Sequence, residues 1–150
     1  MRPEEFRHWL EQRTRKFAVC VFRFLDSLPV VVSSKVIAYQ LGKSASSIGA
    51  NYREATRAES REDFSHKVSI ALKEAAESVY WLEILCDLRD TDQTVIQLKS
   101  ECVELRNLLQ SILTSSKRTT KNKSSNLPFT PSHNPPILQS PNPPFTQSPN

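Results

Sequence analysis

The chain of 150 residues has only two glycines, Gly42 and Gly49, and three cysteines, Cys20, Cys86 and Cys102. Two glycines inside one amphipathic stretch exclude the Gly-rich loops that cradle phosphates, and they read instead as points where one helix approaches another. The cysteines are odd in number, form no CxxC pair and stand in apolar helical surroundings without a histidine nearby. They behave as small hydrophobes, which argues against a disulfide framework or a zinc motif. No apolar run approaches the ~20 residues that span a bilayer, and the opening MRPEEFRHWLEQRTRK is too charged for a secretory signal. The expectation is a cytoplasmic protein without membrane contact, in which the Asn122-Lys123-Ser124 triplet is not a used glycosylation acceptor.

Acidic side chains are also absent beyond Glu104, although the chain has 16. The segment 117–150 holds eight of the ten prolines together with many Ser, Asn and Thr residues. That composition lacks the apolar density to offset its ordering entropy, so a disordered C-terminal tail is expected to follow a folded unit at 1–116. Pro-Phe-Thr occurs at 128–130 and again at 144–146, and Pro128 with Pro131 makes a PxxP spacing, a polyproline signal. The formal net charge of +4 comes entirely from Lys117, Arg118, Lys121 and Lys123, because residues 1–116 carry 16 bases and 16 acids. A pI near 9.1 therefore describes the tail rather than a basic domain. Such a tail is either a solubilising end or a weak, salt-sensitive contact for a phosphate backbone.

Helical periodicity fills the remainder. The first helix is expected from about Glu4 to Leu28, burying Phe6, Trp9, Leu10, Phe17, Cys20, Val21, Phe24 and Leu28, and Pro29 stops it. Val30 to Val32 form a tight apolar connection, after which Ser33 or Ser34 caps a helix running to about Glu59. Its core face is Ile37, Ala38, Leu41, Ala45, Ile48, Tyr52 and Ala55, at spacings of three, four and seven. Ser44, Ser47, Asn51 and Glu54 form a hydrogen-bonding edge beside it. Ser60 with Asp63 resembles a capping box opening a third helix that reaches about Leu88. Asp90 or Thr91 caps the fourth, whose core is Val95, Leu98, Cys102, Leu105, Leu109 and Ile112. Four similar amphipathic helices with short connections define an all-α, antiparallel up-and-down four-helix bundle.

Bundles of this kind sometimes hold di-metal centres, which makes the pairs Glu5–His8 and Asp63–His66 worth testing. Both have the right helical spacing, yet His66 lies about 200° round its helix from Phe64 and the other pair sits in a terminal turn. No serine has a histidine and carboxylate in a nucleophile arrangement. Neither catalysis nor a cofactor is expected.

Helix three is apolar on two sides. Phe64, Val68, Ala71, Leu72, Ala75, Val79, Leu82 and Cys86 form one face, while Ile70, Trp81 and Ile84, with Glu77 among them, form the other. A helix buried twice in a small bundle points to a second subunit, so Ile70, Glu77, Trp81 and Ile84 are candidate oligomer or helix contacts. Asn51, Glu54 and Glu77 are candidates for a partly buried network that fixes register. The simpler alternative is surface pairing, Glu54 with Arg57 and Lys73 with Glu77. Lys43, Arg53, Arg57 and Arg61, helped by Lys117, Arg118, Lys121 and Lys123, are candidates for binding RNA or DNA, since several copies multiply weak contacts.

Taken together, Arg13-Thr14, Phe17-Ala18, Leu28-Pro29, Ser47-Ile48-Gly49-Ala50-Asn51-Tyr52-Arg53-Glu54-Ala55, Ser60, Asp63-Phe64, Ile70 to Glu77 and Tyr80-Trp81-Leu82 resemble the four-helix bundle proteins also called the ribosomal RNA intervening-sequence protein family. The resemblance spans about Arg13 to Ile112 and leaves out the proline-rich tail. It implies a left-handed bundle assembling as a homopentamer, with no defined biochemical role. A related branch serves reverse transcriptases of diversity-generating retroelements through a strongly basic pentamer, unlike the neutral body here. Ala55 stands where members often have glycine, and Lys43 where arginine is usual. The function expected is a non-enzymatic oligomeric bundle that binds a protein or another macromolecule; a nucleic-acid-binding accessory protein is the alternative.

Overall fold

The computed structural model of the chain describes residues 2–89 and 92–121, with side chains described through 117. Four helices follow one another: α1 Pro3–Asp26, α2 Val32–Ala55, α3 Arg61–Leu88 and α4 Gln93–Lys121. Among the described residues there is no strand. Neighbouring helices run antiparallel. Glu11 meets Thr56 while Phe22 lies over Gly42, Glu54 meets Lys67 while Ser44 meets Ser78, and Ser65 meets Ser116 while Cys102 meets Ala75.

Local chemistry explains the boundaries. Pro3 opens α1 with its φ already helical, and Glu5 accepts the Arg2 backbone N–H at 2.9 Å. The helix ends two residues short of Leu28 because Ser27 folds back, its Oγ donating to the Phe24 carbonyl at 2.6 Å. The expected cap of α2 is corrected. Val31 donates its N–H to the Pro29 carbonyl at 2.9 Å in a tight turn, so the helix begins at Val32 with no side-chain cap and takes Ser33 and Ser34 into its first turn. It also stops at Ala55 rather than near Glu59, since Arg57 and Ala58 bond the carbonyls three residues back and tighten the end.

Ser60 caps α3 as expected, accepting the Asp63 N–H at 3.0 Å. Asp90 and Thr91 lie outside the described residues, and Asp92 caps α4 by accepting the Thr94 N–H at 3.0 Å. Helix α4 continues through Lys121, so the first basic residues beyond Ser116 ride on it. Of the disordered tail expected at 117–150, residues 117–121 are helical and the remainder lies outside the described residues.

The core follows the apolar stripes closely. Leu10, Phe17 and Val21 of α1 meet Leu41, Ile48 and Tyr52 of α2, Val68 and Leu82 of α3, and Leu98, Leu105 and Leu109 of α4. Several positions depart from expectation. Trp9 is 37% exposed, Phe6, Cys20, Leu28, Ala38, Leu72 and Cys86 are half-buried, and Leu25 and Leu85 join the core. Burying one fully exposed Leu side chain contributes roughly 1.5–3 kcal/mol, so this four-layer stripe dominates the stability.

Both glycines sit at the α1–α2 crossing. A Cβ on Gly49 would lie 3.2 Å from Thr14 Oγ1, and one on Gly42 would lie 3.1 Å from Phe22 Cε1. Here the close approach inferred from sequence is the actual packing of two helices.

Candidate functional site

The outer face shared by α2 and α3 carries the residues singled out for register and assembly. Asn51 Nδ2 donates to the Ser47 carbonyl at 2.9 Å, within its own helix. Glu54 pairs with Lys67 of α3, not with Arg57. Glu77 is exposed and accepts a long 3.5 Å bond from the Trp81 indole. Within one chain the three candidate register residues thus engage three separate partners.

The buried polar contact between these helices is elsewhere. Ser78 Oγ donates to Ser44 Oγ at 2.8 Å, both side chains wholly buried, and each hydroxyl also bonds a carbonyl of its own helix. Ser44 fell on the edge stripe read from sequence; the signal that it is interior is its spacing of three from Leu41 and four from Ile48.

Ile70, Glu77, Trp81 and Ile84 follow one another at spacings of seven, four and three along α3, and Leu88 continues the stripe. Trp81 and Ile84 are packed partly against the core, and Ile70 is half-buried. Tyr80 stacks edge-on to Trp81 at 5.3 Å. Beside the stripe, burial raises the Glu74 carboxyl above its ordinary value; Glu77 adds to the rise and Lys43 opposes it.

A second apolar stripe runs along the start of α2, beginning at Val32 where the sequence predicts a connection. Val32, Val36 and Tyr39, at spacings of four and three, face outward; Val32 is 81% and Tyr39 69% exposed. Phe22 from α1 and Leu88 from α3 are exposed at the same end of the bundle.

The charged candidates gather at the opposite end. Arg53 lies in the last turn of α2, Arg57 in the turn that follows it, and Arg61 begins α3. The Ser65–Ser116 bond at 3.0 Å brings Lys117 to that end as well. Lys43 is apart, ten residues up α2 and about 15 Å away at 1.5 Å per residue. Arg118 and Lys121 lie in α4 without described side chains, and Lys123 lies outside the described residues.

Acids interleave with these bases. Glu4, Arg7, His8, Glu11, Thr56 and Arg57 line an open depression, in which Glu11 accepts the Thr56 hydroxyl at 2.7 Å and faces Arg57 at 3.8 Å. Below it, burial pushes the Tyr52 phenol well up, with the Glu11 charge adding to the effect. Among the described residues no group of three or more His, Cys, Asp or Glu side chains is placed to hold a metal ion.

The α1–α4 seam holds a contact that sequence reading missed. Arg13, 13% exposed, donates to Glu101 at 2.6 and 2.7 Å and also to Glu104, while its guanidinium lies 5.2 Å over the Trp9 ring. Burial alone would lower the Arg13 pKa, but the two carboxylates outweigh it and hold the group charged. The partners stand 88 and 91 residues apart, so no local spacing announces them.

No helix among the described residues is long and apolar enough to cross a membrane. No curated protein matches the chain. A crystal structure of a protein with unknown function from the S23 ribosomal protein family of Bacteroides thetaiotaomicron is similar, at 37% identity and a TM-score of 0.61, over 69% of this chain and 97% of that one. The family model described as 23S rRNA-intervening sequence protein matches residues 5–111. With more than two thirds of its length matched, and with the four-helix fold expected of that resemblance, this chain belongs to the 23S rRNA-intervening sequence protein family.

Proposed function

We propose that the protein is a non-enzymatic, self-assembling bundle, homopentameric as the family resemblance implies, that presents a surface for capturing a macromolecular partner. The observation that carries this reading is the apolar surface of the single chain. Val32, Val36 and Tyr39 on α2, and Trp81, Ile84 and Leu88 on α3, form two stripes that leave apolar surface open, Trp81 and Ile84 only partly covered by the core. Apolar groups aligned over several turns are stabilised by a second copy that removes them from water.

Ile70 and Glu77 extend the α3 stripe and belong to the proposed contact. Sedimentation of the full chain over a concentration series tests it. Tyr39→Glu and Trp81→Glu should each reduce the assembled mass while helicity is retained; unchanged mass in both variants would refute assembly through this face.

A second reading, nucleic-acid binding, draws on the gathering of Arg53, Arg57, Arg61 and Lys117 at the end where the basic tail departs. Interleaved acids offset those charges, so the tail would dominate any such binding. Titrating the full chain against short RNA and DNA over a salt series separates the two readings. A steep salt slope that survives Lys121→Gln/Lys123→Gln substitution favours a site on the bundle, and one that disappears assigns the contact to the tail.

A further inference from the structure

We propose that the Pro128-Phe129-Thr130-Pro131 segment of the chain's own tail docks on the Phe6–Trp9 face of α1, beside Arg13. The site is built before any ligand arrives. Phe6 and Trp9 lie with ring centroids 5.6 Å apart at a 33° tilt, and Arg13 sits 5.2 Å over the Trp9 ring. The Arg13 guanidinium is itself held by Glu101 and Glu104 of α4. Trp9 is thus braced on one side and remains 37% exposed, and two tilted aromatic rings with a fixed neighbour make the surface on which prolines of an extended segment pack.

Length places this segment at that site. Arg13 lies level with Glu101 and Glu104, and because α1 and α4 run antiparallel, Trp9 lies level with residues 106–107. From there to Lys121, where α4 ends, is about 21 Å at 1.5 Å per residue. A chain turning back from Lys121 in the polyproline conformation covers about 22 Å in seven residues at 3.1 Å each, which brings Pro128 level with Trp9. The second Pro-Phe-Thr at 144–146 falls about 50 Å further along by the same rise. Charge agrees with the placement. The tail has no acid, and its path from Lys121 and Lys123 would pass the exposed Glu4, while Glu5 and Glu104 are already paired with Arg2 and Arg13.

Fluorine NMR of the full chain carrying 5-fluorotryptophan tests the docking, with the two resonances assigned by Trp9→Phe and Trp81→Phe. Replacing Pro128→Ala/Pro131→Ala in the tail, where the bundle is untouched, should move the Trp9 resonance and leave that of Trp81. Pro144→Ala should move neither, and a peptide of residues 126–133 added to the double variant should restore the original Trp9 position. A Trp9 resonance identical in wild type and double variant would overturn the proposal. If tail variants leave Trp9 unchanged and dilution alone moves it, the face belongs to a second copy and the proposal likewise fails.

Discussion

Replacing each glycine of α2 with alanine should have opposite effects, although both substitutions insert one methyl at the same helix crossing. In a helix interior Gly→Ala favours folding by about 1 kcal/mol, and the outcome depends on whether the neighbour can yield. At Gly49 it cannot. The new Cβ would lie 3.2 Å from Thr14 Oγ1, 3.4 Å from Thr14 Cβ and 3.6 Å from the Thr14 backbone carbon. Thr14 is wholly buried, and its hydroxyl donates to the Leu10 carbonyl at 2.9 Å. Overpacking of this kind costs roughly 1–3 kcal/mol, and displacing the hydroxyl forfeits about 1 more. The net expectation for Gly49→Ala is about 1–3 kcal/mol of destabilisation.

At Gly42 the crowding atom is Phe22 Cε1 at 3.1 Å, on a ring 46% exposed that can swing toward solvent, and the next contact is an ordinary 3.5 Å. Most of the propensity gain survives there, leaving about 0.5 kcal/mol of stabilisation. At about 4 °C per kcal/mol for a domain near this size, the two variants should melt about 6–14 °C apart. Thermal denaturation by circular dichroism at fixed protein concentration reads the difference directly, the fixed concentration removing any contribution from assembly. A Gly49→Ala protein that melts at or above Gly42→Ala would refute the close-packing account of the α1–α2 crossing.

Other outcomes follow from the same geometry. Arg13→Met should destabilise the chain by about 2–3 kcal/mol, because it leaves Glu101, 12% exposed, without its partner; a urea-melt cycle with Glu101→Gln should show the double variant recovering part of that loss. In native protein at pH 8, Cys20 and Cys86 should react with a thiol reagent while Cys102, buried and pushed up to about 12, reacts only after unfolding. Glu74 has a raised pKa in the fold, so its charged form is disfavoured there, and that penalty is present above the folded pKa and fades as pH falls through it toward the ordinary 4.5. Glu74→Gln should therefore raise the melting temperature at pH 7 and lose the advantage at pH 4.

The helices and most of the core were legible because a period of 3.6 residues is a local property. Six of the eight buried positions of α2 lie on its apolar stripe, Gly42 and Ser44 being the other two, and Ser60 announced the start of α3. What escaped were contacts made across the chain. Ser44 reads as polar until Ser78 supplies its partner 34 residues away, and Arg13 reads as a surface base until α4 delivers two carboxylates to it. Glu54 has an acceptable partner three residues on in Arg57, and the fold gives it Lys67 instead. Short spacings identify which pairs are possible, while packing decides among them. The outward stripe of Val32, Val36 and Tyr39 was hidden for a different reason: a proline at 29 suggested an irregular connection, and the turn after it proved short enough for the helix to begin at Val32.

The arrangement of charge bears on how such a protein would recognise anything. Its bundle has as many acids as bases, and many of the bases face acids of the same chain: Arg13 with Glu101 and Glu104, Lys67 with Glu54, Arg57 with Glu11, Arg2 with Glu5 and Arg89 with Asp92. Charges neutralised at a few ångströms leave little field beyond a Debye length of about 8 Å at physiological salt. Long-range attraction of a polyanion by the bundle is correspondingly weak, whereas the apolar stripes of α2 and α3 act only on contact and are hardly weakened by salt. The basic excess begins at Lys117, where the family match has already ended at residue 111. On the proposed reading, assembly would draw on the helices within the family match and any charge-driven binding on the basic excess that lies beyond it.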